Sequence, residues 1–344
     1  PTEPFEAISG QLRAERTRLR PQGNRLTVAS YNVLNLDPND DDGDMDIANG
    51  RFDAIARHIV HNLRRPDIIG LQEIQDNDGA DDTDDTAADI TLQTLVDAIE
   101  AAGGPGYAFR DTADLVPNSV GGQPGGNIRV AFLYNPERVS LVGDVEALTD
   151  TRDQSINPAN PFFGSRVSLA GVFRFRGREI TVVNNHFSSK GGSAPILGIE
   201  QPFDQRQEDV AINGSLDERQ RQAAAVADYV DDILSRDRRA RVIVLGDLNE
   251  FEFISPVADI LGSRLTNTTD QLPAKERYSF IFQGNSQSLD HVLLSDSLLG
   301  GAKVDIVHVN AEFRETPQRA SDHDPIVVSV VAKGRPERDD EDDD

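Results

Sequence analysis

The sequence predicts an α/β protein, and three observations carry that prediction. Val242 to Leu245 is a run of four apolar residues, which reads as a strand buried on both faces. Other strand-like runs are interleaved with segments of helical period, as at Phe52, Ile55, Ile59 and Leu63. Polar residues capable of chemistry fall where the apolar runs end, the place where α/β folds usually put their sites. The 344 residues show no internal repeat and no Pro/Ser linker, and the residues of interest extend from 32 to 323. The reading is therefore one domain over 24–333, between an N-terminal arm at 1–23 and an acidic tail at 334–344 expected to be disordered.

In chain order, residues 1–22 carry an Arg-rich, weakly apolar helical pattern ended by Pro21-Gln22-Gly23, expected as a surface arm. Residues 25–33 form the first strand, with Asn32 at its carboxyl end; a lone Asn there is ordinarily a turn residue. A dense acidic loop follows at 37–46. Phe52 to Leu63 is a helix whose His58 and His61 read as structural. Residues 67–74 are the second strand, and Glu73 lies at its end in apolar surroundings, where a carboxylate is costly unless paired or bound to metal.

A second acidic loop spans 76–85; its Asp76-Asn77-Asp78-Gly79 offers hard oxygens and a Gly turn that suit Ca2+, without the spacing of an EF-hand. A helix over 90–102 and a Gly/Pro-rich loop over 103–127 lead to a strand at Ile128–Tyr134, with Arg129 at its entry as a candidate phosphate contact. A Pro/Asn loop (151–165) precedes a strand pair, 167–175 and 179–185, joined by a tight Arg-Gly turn. The second of these runs into His186 and then Lys190-Gly191-Gly192, a combination suited to an anion. After an irregular loop (193–215), Leu216 to Ser235 reads as an amphipathic helix.

In the central stretch 241–249, Gly246 is expected to break the strand, with Asp247 and Asn249 at its carboxyl end. In an extended chain residues i and i+2 point the same way, so Asp247 and Asn249 would be aimed together; a strand followed by an Asx turn is the equal alternative. Loop dominates 250–288, with a short helix near 256–261. Strands follow at 289–295, which opens on Asp290, at Val304–Val309, and at Ile326–Val331, entered through Ser321-Asp322-His323-Asp324-Pro325.

Composition narrows the classes. No Cys is present, so disulfides and thiolate metal sites are excluded. No run of about 18 apolar residues exists to span a membrane. The chain starts without a signal-like apolar run, so any export signal would lie upstream of it or have been cleaved from it. The net charge is −25, with 4 Lys against 30 Arg, a pattern that suggests a halophilic or marine source and a surface that needs salt or divalent cations to screen it. That charge disfavours an extended nucleic-acid footprint, so a polyanionic substrate would be met by metals and local cations.

Six strand ends thus carry Asn32, Glu73, His186, Asp247 with Asn249, Asp290, and Asp322 with His323. These are the residue types of a Mg2+-assisted phosphoester hydrolase: carboxylates for a hard cation, a His that exchanges protons with water, and donors for phosphoryl oxygens. No Ser-His-Asp elbow or glycine-rich nucleotide loop is present.

Ser-Tyr-Asn-Val at 30–33, Gly-Leu-Gln-Glu at 70–73, Asn-Asn-His-Phe at 184–187, Gly-Asp-Leu-Asn at 246–249, Leu-Asp-His at 289–291 and Ser-Asp-His-Asp-Pro at 321–325 together resemble the endonuclease/exonuclease/phosphatase superfamily, the group of deoxyribonuclease I and the apurinic endonucleases. The stretches 75–79, 190–192 and 278–284 look most like the bacterial extracellular nucleases within it. The resemblance implies a four-layered α/β sandwich, two mixed sheets face to face with helices outside. It implies Glu73 as the main metal ligand with Asp322 and Asn32 around it, and His323 as the base that activates water, oriented by Asp290. It further implies Asp247 and Asn249 on the phosphate or a second metal, and His186 as donor to a phosphoryl oxygen. Arg129 and Lys190 are weaker candidates for phosphate contact. Two departures stand out: secreted relatives commonly have cysteines, and Leu34 occupies a position where the apurinic endonucleases have Asp.

The expectation is a secreted, monomeric nuclease of low sequence preference acting on DNA or RNA with Mg2+ or Mn2+, and with Ca2+ as the candidate ion for Asp76 and Asp78. A phosphatase or phosphodiesterase for small esters or lipid headgroups is the alternative on the same residues. A Ca2+-binding adhesion module with a degenerate site is a third.

Overall fold

The computed structural model describes residues 12–194 and 207–332. The tail from 334 and the outer half of the arm lie outside the described residues. Among the described residues fifteen strands occur in chain order: β1 (Arg25–Leu36), β2 (Ile68–Ile74), β3 (Ala108–Asp111), β4 (Arg129–Tyr134), β5 (Ser140–Leu141), β6 (Glu146–Ala147), β7 (Leu169–Phe175), β8 (Arg178–His186), β9 (Val242–Asp247), β10 (Thr266–Asn267), β11 (Phe280–Phe282), β12 (Asn285–Gln287), β13 (Asp290–Leu294), β14 (Lys303–Ile306) and β15 (Ile326–Val331). One sheet runs β14-β15-β1-β2-β4-β3; the second runs β10-β13-β9-β8-β7-β5, with β6 also on β7. Both are mixed: β1–β2 and β8–β9 are parallel, and the other pairs are antiparallel.

The side-chain period of a strand explains the layering. From β1, Leu26 and Val28 face the second sheet and meet the cluster of Phe173, Val182, Ile243 and Leu245. Ala29, Tyr31 and Val33 face the other way, onto Ile55 and Ile59 of the Arg51–Asn62 helix and Leu92 and Leu95 of the Asp89–Ala101 helix. Across the sandwich, Val183, Val242 and Val244 meet Ala223, Val226 and Val230 of the helix Leu216–Arg236. Helix, sheet, sheet and helix make the four layers. Each central strand is therefore apolar on both faces, so its sequence reads as a continuous run and not as alternation.

A buried polar cluster crosses the sandwich. Gln72 Nε2 donates to Asn184 Oδ1 at 2.6 Å, and Asn184 Nδ2 donates to the carbonyls of Leu71 and Ala131, both at 2.9 Å. It ties β2 to β8 two residues short of where His186 stands.

Several expectations are corrected. Residues 12–22 form no helix: the Glu15 and Thr17 amides donate to His308 O (2.9 Å) and Asn62 O (3.0 Å), so the backbone is bonded to neighbouring loops and has no ladder of its own. The Gly/Pro stretch hides β3, which completes the sheet edge on β4. The Pro/Asn loop contains a helix, Thr151–Ile156, capped by Asp150, whose side chain accepts from Asp153 N–H at 2.8 Å. Gly246 does not break β9. It lies in register opposite Asn185 and His291 at φ 134°, where a Cβ would overlap the Asn185 carbonyl oxygen.

Candidate active site

The strand ends deliver the site from both sheets. In the first, Asn32 of β1 lies opposite Gln72 of β2, and the parallel register slips just beyond. Leu34, Asn35 and Glu73 take left-handed backbone angles (φ 56°, 44° and 63°), uncommon for residues with a side chain and concentrated at sites that need them. The turn brings the Asn35 amide onto Glu73 Oε2 at 3.0 Å, while Asn32 Nδ2 donates to Glu73 Oε1 at 2.8 Å.

In the second sheet, Asp247 of β9 is in register with His186 of β8 on one side and with Asp290 of β13 on the other. The segment entering β15 closes the site. Ser321 Oγ donates to Asn32 O (2.7 Å) and accepts from His323 N–H (3.1 Å), and Asn310 Nδ2 donates to His323 O (2.7 Å). The His323 ring stacks on Phe280, with centroids 4.7 Å apart.

These elements converge on one oxygen. The Nε2 atoms of His186 and His323 both lie 3.8 Å from Asp247 Oδ2, to which Asn32 Nδ2 also donates at 3.1 Å. The other Asp247 oxygen accepts from Asn249 N–H at 2.9 Å. His186 Nε2 is 3.7 Å from Glu73 Oε1. His323 Nδ1 and Asp290 Oδ2 are 2.7 Å apart.

Burial and charge then divide the two histidines. Burial drives His186 well below the usual imidazole range, and the cations Arg166 and His323 push the same way, so it is neutral. For His323 burial also opposes the charge, but Asp290 and Asp247 outweigh it and hold the ring well above the usual range. Burial pushes Asp247 up to about 7 against the pull of His323. Glu73 is raised by burial and then by the nearby Asp322 carboxylate.

The structure thus brings Asn32, Glu73, His186, Asp247, Asp290 and His323 together. Some details differ from the sequence reading. Asp247 and Asn249 are not paired along an extended chain: Asn249 has φ 49°, the segment is the Asx turn, and its Nδ2 donates to Phe187 O at 3.1 Å. Asn32 presents its amide nitrogen inward, because its Oδ1 accepts from Leu34 N–H at 3.0 Å; it is a donor to the two carboxylates. Arg129 is buried, with its guanidinium on Asn127 O (3.0 Å) and Asp111 Oδ2 (3.2 Å), so it is a structural cation. Lys190 is held by Asn213 Oδ1 (2.5 Å) and by Glu250 Oε1 (2.6 Å), a carboxylate it shares with Arg219, so its ammonium is already engaged within the protein. His58 bonds to the Tyr31 hydroxyl at 2.9 Å, in keeping with a structural role. Asp76 accepts from Asn127 Nδ2 (2.7 Å) and Asp78 from Thr83 Oγ1 (2.6 Å), and each keeps one buried oxygen without a partner.

Sequence reasoning missed Arg166. It is buried just before β7, its guanidinium donates to Phe187 O at 2.6 Å, and its charge is felt by Glu73, Asp247 and His186. Only an Arg placed against an apolar run marked it, and many structural arginines share that signal.

The donor set fits a hard divalent cation. Glu73 and Asp247 offer carboxylate oxygens within 4.8 Å of each other, and Asp322, near enough to Glu73 for the two carboxylates to repel, keeps a buried Oδ1 that has no partner. A cation between them would relieve that repulsion.

Comparisons with known proteins bear on the family and the fold. Residues 29–323 match the model of the Endonuclease/Exonuclease/phosphatase family. None of the curated proteins matches the chain in sequence. Among solved structures, truncated TDP2 of Caenorhabditis elegans is 18% identical with a TM-score of 0.57, over 90% of this chain and 98% of that one. A mannosyl-6-phosphatase of Bacteroides thetaiotaomicron is 18% identical with a TM-score of 0.56, over 89% and 99%. TDP2 of D. rerio, in complex with a single-strand DNA product, is 17% identical with a TM-score of 0.54, over 90% and 99%. At these identities the likeness is one of fold.

Proposed function

The chain belongs to the endonuclease/exonuclease/phosphatase family, whose members are phosphoesterases that generally depend on a metal ion, and from that premise we propose that it is a secreted, monomeric nuclease cleaving DNA or RNA with Mg2+ or Mn2+. The observation that carries the chemistry is the convergence of His186 and His323 on Asp247 Oδ2, each at 3.8 Å.

His323 is the base. Asp290 accepts from its Nδ1, so the Nε2 lone pair is left to take a proton from the attacking water. His186 plays the opposite part. Its Nε2 faces two carboxylates and therefore carries the proton, and as a neutral donor it binds a phosphoryl oxygen whose charge grows during attack. Asp247, pushed up to about 7, can hold a proton at neutral pH and give it to the leaving oxygen. Asn32 fixes Glu73 and Asp247 relative to each other. A divalent cation held by Glu73 and Asp322 would polarise the phosphoryl group and neutralise its charge.

A hairpin favours nucleic acid over a small ester. Phe280 stacks on His323, and Phe282, half exposed, stacks in turn on Phe280 at 6.4 Å. Flat aromatic faces leading from the base to solvent suit unstacked nucleobases. The second reading, a phosphatase for small esters, draws on the charge of −25, which a small substrate meets at less cost than a polyanion, and on the mannosyl-6-phosphatase among the fold relatives.

The test is cleavage of plasmid and single-stranded DNA in Mg2+, Mn2+, Ca2+ or EDTA, beside a small phosphodiester and a His323→Ala control. Metal-dependent nicking that the variant lacks supports the nuclease reading. Intact DNA with hydrolysis of the small ester moves the conclusion to the phosphatase. Recovery of the full-length natural product from culture fluid tests secretion.

A further inference from the structure

The acidic loop between β1 and the first helix has an arrangement that the catalytic site does not use. Asp37, Asp42 and Asp44 each place one carboxylate oxygen within 4.8 Å of the other two. Two oxygens about 2.4 Å from one Ca2+ can be at most about 4.8 Å apart, a condition that all three pairs meet. Asp37 is fully buried, and its Oδ2 has no partner; Asp44 Oδ1 is likewise buried and unpaired. A buried carboxylate oxygen without a donor is costly.

Among the described residues no cation is hydrogen-bonded to these two oxygens. The neighbouring Arg51 is bound to Asp46 and to the carbonyls of Val33 and Leu34. The other oxygens are held by backbone: Asn39 N–H donates to Asp37 Oδ1 (2.8 Å), and Ala80 N–H donates to Asp42 Oδ2 (2.6 Å). The loop therefore presses against the turn at Gly79, where any Cβ would meet Asp37 and Asp42. Asn39 Nδ2 adds a bond to Asp78 O at 2.8 Å.

We propose that Asp37, Asp42 and Asp44 bind a structural Ca2+ that clamps the loop after β1 to the turn after β2. Ca2+ suits the site better than Mg2+: the ligands are carboxylates on irregular loops, and Ca2+ accepts a variable number of oxygens where Mg2+ demands an octahedron and keeps its waters. The clamp lies directly beyond Leu36 and Gln75, whose backbones are bonded at 3.0 Å, and so beyond the two strands that carry Asn32 and Glu73. The proposal does not depend on the nuclease reading.

The experiment uses the full chain, stripped with chelator and returned to millimolar Mg2+ to fill the catalytic centre. Ca2+ is then titrated by calorimetry, and thermal unfolding is followed with and without it. The expected result is one Ca2+ per chain and a higher Tm. Asp42→Asn keeps an acceptor for the Ala80 amide and should fold. It should weaken Ca2+ binding at least tenfold and abolish the Tm rise, while in chelator its Tm should equal or exceed the parent's, since one of three crowded charges is gone. Glu73→Gln should bind Ca2+ as the parent does. No uptake at millimolar Ca2+ would overturn the proposal. So would uptake that persists in Asp42→Asn, whether it is lost in Glu73→Gln, which would put the ion in the catalytic centre, or in Asp78→Asn, which would put it in the 76–85 loop.

Discussion

Replacing Asp290 by Asn isolates the electrostatic part of the base, because the amide keeps the shape and removes the charge. The bond it alters, between His323 Nδ1 and Asp290 Oδ2 at 2.7 Å, is buried and charge-assisted. Such bonds contribute about 1.5–3 kcal/mol, and one pKa unit corresponds to about 1.4 kcal/mol, so the ring should lose roughly 1–2 units. In the parent, a raised His323 makes the neutral base scarce until the pH approaches that raised value, and kcat climbs with pH across this range. In Asp290→Asn the climbing limb should move down by about 1–2 pH units. Its plateau should fall by about 10²–10⁴, since the amide can also donate to Nδ1 and leave the proton on the face that must accept one. Stability gives an independent reading. A raised imidazole stabilises the fold fully below about 6.5 and loses that contribution as pH rises through the folded value, so parent and variant should differ most in acid and converge in alkali. The assay is a pH–rate profile on a small phosphodiester beside urea unfolding across pH. An unmoved limb, with kcat within about threefold of the parent, would refute His323 as the base.

The neutral, buried His186 must be charged in acid, so the fold should weaken as pH falls below about 6.5, and His186→Gln should flatten that dependence in urea titrations while lowering kcat by about 10²–10³. Gly246→Ala combines a forbidden φ of 134° with a clash on the Asn185 carbonyl and should lower stability by about 3 kcal/mol or more, read as a shifted urea midpoint. Gln72→Leu leaves Asn184 Oδ1 buried without its 2.6 Å donor and should cost about 1–3 kcal/mol, with a smaller effect on kcat than on the midpoint.

Legibility in the sequence followed periodicity. β9 was readable as a short unbroken apolar run, and the helix Leu216–Arg236 because apolar residues repeat in it at the helix period. The helix at Thr151–Ile156 was not: its boundaries come from the Asp150 cap inside a polar stretch, and only Thr151 and Gln154 are buried in it. The site was readable as residue types at strand ends, but not as orientations. Nothing in the order Gly-Asp-Leu-Asn shows that Asn249 turns into the left-handed region, or that Asn32 offers its nitrogen. Arg129 and Lys190 were misread because a cation's partners lie far along the chain, at Asp111 for one and Glu250 for the other.

The pairing of the first long strand with the last sets a schedule for activity. Arg25 lies opposite Val331 and Ser30 opposite Ile326, and just past that seam Ser321 Oγ donates to Asn32 O. A ribosome-bound chain whose final strand is still inside the exit tunnel has neither the His323 base nor the seam that brings it to Asn32. A chain cut before residue 326 should therefore lack phosphoesterase activity however well the rest folded.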